Sequence, residues 1–244
     1  GGKDPGALGN GLQEKDINLS VALKIGDILK SHGINVGYSR TTDVFVELQD
    51  RATMANNFGA DVFVSIHCNA FHDSSAQGVE TYSYPGSMSG RNLAKAIQDS
   101  IIASGVYTKD RGIKTANYAV LRLTNMPAAL VELAFITNPQ DADILRNRQD
   151  DLALAVAKGI LNNLGIPYNG GGTALYKVQV GAFSIRENAE NLVNQLKADG
   201  YNAIIVVSGG LYKVQVGAFR IRENAEALVN ELKSKGYDSI IVIG

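Results

Sequence analysis

The sequence predicts an α/β protein, a mainly parallel sheet with helices on both faces, followed by a C-terminal ferredoxin-like βαββαβ domain. Three observations carry that expectation. Strand and helix patterns alternate through the first 166 residues, a glycine-rich stretch follows, and a 33-residue segment then occurs twice.

In the first region, Ile17, Val21, Ile25 and Ile28 recur at helical spacing, which predicts a helix over 13–31. Alternation predicts a strand near 34–39, and the next helical pattern covers 48–58. Val62, Phe63, Val64 and Ile66 form an apolar run that marks a central strand over 61–66. A strand near 78–84, a helix over 89–104, strands near 119–123 and 128–135, and one closing helix over 139–164 complete the series. Residues 1–166 form the expected larger domain. The segment 167–174, Pro-Tyr-Asn-Gly-Gly-Gly-Thr-Ala, reads as a flexible linker.

Residues 175–207 and 211–243 are identical at 25 of 33 positions. Each copy opens with alternation (Tyr176, Val178 and Val180 against Lys177 and Gln179), continues with a helical stripe (Ala189, Leu192, Val193, Leu196), and closes with a second strand. A single βαβ unit cannot bury both a helix face and a sheet face, so the two copies should close into one domain over 175–244. Its first and third strands should then be the central pair. Lys177, Gln179 and Phe183 should face away from the helices, beside Lys213, Gln215 and Phe219.

Composition excludes several functions. Lys plus Arg number 23 against 24 Asp plus Glu, with no basic run, so neither a nucleic acid nor a membrane surface is the expected partner. The single cysteine, Cys68, excludes an internal disulfide framework and a thiolate zinc site. No export signal is visible, and a monomer is expected.

Three ionisable residues sit where packing alone would not place them. Glu14 falls on the inward face of the first helix; the simpler reading is a charge favouring the helix dipole. His67 ends the central strand, at the rim where ligands gather in such sheets, although a rim histidine is structural about as often as functional. Glu132 interrupts Ala128-Ala129-Leu130-Val131-Glu132-Leu133-Ala134-Phe135, and a carboxylate in a buried strand is costly unless paired, for example with Arg40 or Arg51, or near a metal. Together they suggest a His/Glu zinc site with a carboxylate base beside it, one ligand short of three. His32, at a helix end, and His72, in a polar loop, are poor candidates.

The segments Gly1-Gly2-Lys3-Asp4-Pro5-Gly6-Ala7, Glu14, Ser39-Arg40-Thr41-Thr42-Asp43, Arg51, Ser65-Ile66-His67-Cys68-Asn69-Ala70 and Val131-Glu132 resemble the zinc-dependent N-acetylmuramoyl-L-alanine amidases of the Amidase_3 family. That family's opening motif reads Asp-Pro-Gly-His-Gly-Gly, and its His is the first zinc ligand; the present sequence starts one residue later. The resemblance implies Zn2+ as cofactor, Glu14 and His67 as ligands and Glu132 as the catalytic carboxylate, with Arg40, Arg51 and Asn69 as candidate substrate contacts. It implies that the first strand and the first ligand precede Gly1. The repeats are similar to SPOR domains, which bind peptidoglycan glycan strands stripped of stem peptides; this marks Lys177, Gln179, Phe183, Lys213, Gln215 and Phe219 as candidate glycan contacts. The combination resembles sporulation-associated wall amidases, so the expected function is hydrolysis of the amide between the muramic lactyl group and L-alanine, in the cell wall or outside the cell. The alternatives are a non-catalytic peptidoglycan-binding protein and a zinc exopeptidase.

Overall fold

The computed structural model describes residues 1–107, 109–168, 175–219 and 222–243. Its contacts divide the chain into two compact units, Gly1–Tyr168 and Asn169–Gly244. Positions 169–174 of the expected linker lie outside the described residues.

The first unit opens with a two-stranded hairpin, β1 (Leu8–Gly9) and β2 (Leu12–Gln13), and continues into α1 (Glu14–Ser31) and α2 (Leu48–Phe58). Then follow β3 (Phe63–Asn69), β4 (Val79–Ser83), α3 (Met88–Ala103), β5 (Asp110–Thr115), α4 (Ala119–Leu123), β6 (Ala128–Phe135), α5 (Pro139–Asn147) and α6 (Gln149–Asn163). The sheet runs β3-β6-β4-β5. Two of its ladders, β3 with β6 and β4 with β5, are parallel, and β4 with β6 is antiparallel.

Strand alternation sorts the side chains into two layers. Ile66, Cys68, Ala129, Val131 and Leu133 join the main core with Val21 of α1, Leu93 and Ile97 of α3, and Val156 of α6. Fully buried, each large aliphatic chain there contributes about 1.5–3 kcal/mol. On the other face Ala128 and Leu130 meet Val120 and Leu121 of α4, with Phe63 and Tyr82. His67, Glu132 and Glu80 occupy that second face by the same alternation, and the register sets His67 beside Glu132 and Glu132 beside Glu80.

Four local expectations need correction. The apolar run expected as a central strand is β3, which lies at the edge of the sheet among the described residues and continues past His67 to Asn69, so His67 sits within the strand and not at its end. Segment 34–39 keeps its alternation, with Ile34 and Val36 packed on the core, but it joins no ladder. It and β3 both line one cavity of about 780 Å³, with Ile34, Val36, Tyr38, Val62, Val64 and Ile66 among its walls. Residues 119–123 form α4 where a strand is expected: a strand would split Val120 and Leu121 between faces, whereas one helical turn buries both. The closing helix is two helices, because Arg148 leaves helical conformation (φ −124°, ψ 29°) and pairs with Asp151 in the first turn of α6.

The second unit comprises β7 (Tyr176–Phe183), α7 (Arg186–Ala198), β8 (Ile204–Ser208), β9 (Leu211–Phe219), α8 (Arg222–Ser234) and β10 (Ile240–Ile243). Its sheet order is β10-β7-β9-β8, antiparallel throughout, so the first and third strands are central, as the ferredoxin-like expectation requires. Val178, Val214 and Val216 pack with Ala189, Val193 and Leu196 of α7 and Ala225 and Leu232 of α8. Gln179 lies directly opposite Gln215, flanked across the strands by Ile240 and Ile204, both exposed. Phe183 and Phe219 do not face away with them. The ladder between β7 and β9 is irregular between Gln179 and Gly181, which flips the alternation, and each ring lies over a glycine (Gly181, Gly217) and joins the core side.

Candidate active site

Glu14 begins α1, where Gln13 offers no side-chain cap. Its own carboxylate turns back instead: Oε2 accepts from the Ala7 N–H at 2.8 Å, and Oε1 accepts from Asn18 Nδ2 at 3.0 Å and the Cys68 N–H at 3.2 Å. His67 Nδ1 lies 2.9 Å from the same Oε1, and His67 Nε2 lies 3.0 Å from Ser65 Oγ. Burial alone would raise the pKa of Glu14, but the His67 contact and the Ala7 and Asn18 hydrogen bonds outweigh it and hold it at about 2. The carboxylate is therefore anionic across the physiological range.

Glu132 contrasts with it. Its Oε2 is buried without a hydrogen-bond partner. Burial, together with the nearby carboxylates of Glu14 and Glu80, pushes its pKa up to about 7, against the opposing influence of His67. The two carboxylates are thus separated by environment into a permanent anion and a group able to gain and lose a proton near neutrality, the division of roles that acid–base chemistry requires.

Among the described residues no group of three or more His, Cys, Asp or Glu side chains is arranged to hold a metal. Two donors nonetheless fit zinc. Glu14 Oε1 and His67 Nδ1 are 2.9 Å apart, near the roughly 3.3 Å between neighbouring donors of a tetrahedral zinc with 2.0–2.1 Å bonds. Ser65 Oγ on Nε2 leaves Nδ1 as the ligating atom, the second-partner arrangement typical of metal-bound histidine.

The remaining candidates divide. Asn69 donates from Nδ2 to Glu80 Oε1 at 2.8 Å, beside the site. Arg40 donates to the Lys15 and Thr42 carbonyls, and Arg51 to the Val46 carbonyl. Neither arginine makes an ion pair with Glu132 among the described residues. His32 places Nδ1 2.8 Å from the Ile28 carbonyl at the end of α1, and His72 packs against the exposed Phe71 ring.

Sequence reasoning missed Glu80. It is 2% exposed, yet accepts four hydrogen bonds: Asn69 and Tyr82 donate to Oε1, Arg111 Nε and Lys114 Nζ to Oε2. Burial opposes its charge, but those donors more than offset burial and lower its pKa. A signal does exist, since Val79-Glu80-Thr81-Tyr82-Ser83 sets a carboxylate inside a strand as Glu132 is set.

A pH dependence follows for the metal-free chain. A carboxyl whose folded pKa is raised binds its proton in the folded state below about pH 7 but in the unfolded chain only below its ordinary value. Its ionisation therefore costs stability as pH rises through that window. Glu132→Gln is expected to be more stable than wild type by about 3 kcal/mol at pH 8, with the gap closing toward pH 4.5. Denaturant unfolding at both pH values checks this; a gap independent of pH would refute the buried, unpaired carboxylate.

Residues 1–162 match the family model described as N-acetylmuramoyl-L-alanine amidase, and residues 167–243 match that of the SPOR domain. The sporulation-specific N-acetylmuramoyl-L-alanine amidase of Bacillus subtilis is 40% identical over 212 residues, covering 85% of this chain and 81% of that protein. The N-acetylmuramoyl-L-alanine amidase CwlM of Bacillus licheniformis is 42% identical over 210 residues, covering 84% and 81%. Among solved structures, the N-acetylmuramoyl-L-alanine amidase from Clostridium difficile 630 superposes with a TM-score of 0.65 at 40% identity, over 68% of this chain and 92% of that one.

Proposed function

The chain belongs to the N-acetylmuramoyl-L-alanine amidase family, and from that premise we propose that Glu14, His67 and Glu132 form the centre at which it hydrolyses peptidoglycan. The bond cut is the amide between the lactyl group of N-acetylmuramic acid and the L-alanine that begins the stem peptide. The chain acts at the cell wall or outside the cell, where that substrate lies, and its SPOR domain holds it to the wall. Among the described residues no helix is long and apolar enough to cross a membrane.

The observation that carries the reading is the pairing of Glu14 with His67 beside an unpartnered Glu132. Glu14 and His67 would hold a zinc ion, which when bound supplies Lewis acidity and an acidified water. Glu132 accepts the proton of the attacking water and delivers it to the departing alanine nitrogen, so one carboxyl serves as base and then acid. Water adds its oxygen to the lactyl carbonyl carbon, the C–N bond breaks, and the products are a lactyl carboxylic acid and a free amine. The anion of Glu14 and the ring of His67 stay fixed by Ala7, Asn18 and Ser65 throughout.

Mass analysis of digested peptidoglycan tests the bond assignment. Intact stem peptides beginning with L-alanine are expected; newly formed reducing sugars or opened cross-links would exclude it.

The open face of the SPOR sheet accounts for targeting. Gln179 and Gln215 stand side by side on its two central strands, with Lys177 and Lys213 further along those strands, so amide and ammonium groups face sugar hydroxyls. Gln179→Ala with Gln215→Ala is expected to weaken binding of the full chain to peptide-free glycan by about tenfold, as loss of two hydrogen bonds implies. Sedimentation with amidase-stripped sacculi measures it; unchanged retention would remove this face from targeting.

A further inference from the structure

Lys114 is a second cation on a carboxylate oxygen that is already paired. Glu80 Oε2 accepts from Arg111 Nε at 2.6 Å and from Lys114 Nζ at 2.6 Å, while Tyr82 and Asn69 occupy Oε1. Arg111 alone balances the buried charge, and it is held further by the Phe135 ring, 4.7 Å from the guanidinium carbon, and by the field of the buried Asp141. Lys114 is held more loosely: apart from Glu80 its ammonium meets only the Tyr82 ring, at the longer distance of 5.9 Å from the centroid, among the described residues. Its side chain is 38% exposed, its hydrogen-bond acceptor is Glu80 Oε2, and an ammonium carries three donors.

The backbone is bent to bring this cation to the site. In a regular strand Arg111 and Lys114, three positions apart, would point to opposite faces. The ladder between β4 and β5 shifts register between Val79 and Thr81, and Gly112 in β5 takes φ 75°, a left-handed conformation that glycine adopts without strain. Both side chains consequently reach Glu80. Bulges of this kind commonly re-aim a side chain next to an active site.

Position then selects the ligand. The order β6-β4-β5 places Lys114 two strands from Glu132, about 10 Å between backbones, but its side chain leans back onto Glu80 of the intervening strand. The ammonium thus lies roughly one strand spacing from the Glu132 column. An extended peptide advances about 3.3–3.6 Å per residue, so with the scissile amide at Glu132 the residue following L-alanine is the one within reach.

We propose that Lys114, buttressed by Glu80 and Arg111, is a specificity subsite for a carboxylate on the second residue of the stem peptide. The proposal rests on the amidase reading and adds the direction in which the peptide lies, from β6 toward β5.

Two muropeptides that differ only at the second residue, one bearing a free α-carboxylate (D-isoglutamate) and one its carboxamide (D-isoglutamine), separate the two readings. For the zinc-loaded full chain kcat/KM should favour the carboxylate by about tenfold. Lys114→Met should bring the ratio to within about twofold of one, and Lys114→Arg should restore most of it. Titration of the released acidic peptide into the metal-free chain should show the same order, with Lys114→Met binding about tenfold more weakly. Hydrolysis of both substrates at equal rates by wild type, or a preference that survives Lys114→Met, would overturn the subsite alone. Hydrolysis of neither would overturn the amidase reading with it.

Discussion

Replacing Glu132 by alanine is expected to lower kcat by at least about 10³-fold, within the range that a positioned acid–base group contributes, while zinc content and retention on sacculi stay near wild type. Glu132 donates nothing to the Glu14–His67 pair and lies in a different unit from the Gln179–Gln215 face. Its environment also explains why a glutamate can serve as both base and acid. Burial beside Glu14 and Glu80 lifts its pKa to about 7, so it can accept a proton and return it near neutrality. Near-native turnover by Glu132→Ala would assign the base elsewhere. Glu132→Gln, which keeps the shape and removes the titration, should be as inactive as the alanine variant.

His67→Ala and Glu14→Ala should fail differently. Each removes one of two adjacent donors, and zinc affinity is expected to fall by more than about 100-fold, beyond the 10- to 100-fold attributed to loss of an outer partner. Activity should fall with it and recover in part at high zinc. Glu14→Ala also strips acceptors from the Ala7 and Cys68 N–H groups, so its melting temperature should drop more than that of His67→Ala. Equilibrium dialysis against zinc with parallel thermal unfolding reads both effects. Undiminished zinc binding by either variant would exclude that residue as a ligand.

The fold and the site were legible in the sequence to different depths. Glu132 stands out because it breaks an otherwise apolar run, and Glu14 because it sits on a helix stripe with Ile17 and Val21. Glu80 passed unnoticed although it stands in a comparable strand: Val79-Glu80-Thr81-Tyr82 is polar enough on both faces to resemble an ordinary half-exposed strand. Lys114 was hidden by the Gly112 bulge, which interrupts the alternation that would have revealed β5. Phe183 departs from simple alternation for the same reason. Glycine inside a strand marks a possible bulge, and Gly181 flips the rest of the strand toward the helices. Residues 34–39 fail as a strand for a non-local reason: alternation gives them two faces, but a ladder needs a neighbouring strand to pair with, and they pair with none. Which residues oppose one another (His67 with Glu132, Glu80 with Glu132) is set by strand order and register, which no single segment encodes.

A crystal structure of the zinc-loaded protein with anomalous data at the zinc edge tests the Glu14–His67 site directly. One zinc peak is expected, with Glu14 Oε1 and His67 Nδ1 each about 2.0–2.2 Å from it, and Glu132 close by but outside the coordination shell. A zinc ion held by other residues, or Glu14 and His67 still bonded to each other with the metal elsewhere, would contradict it.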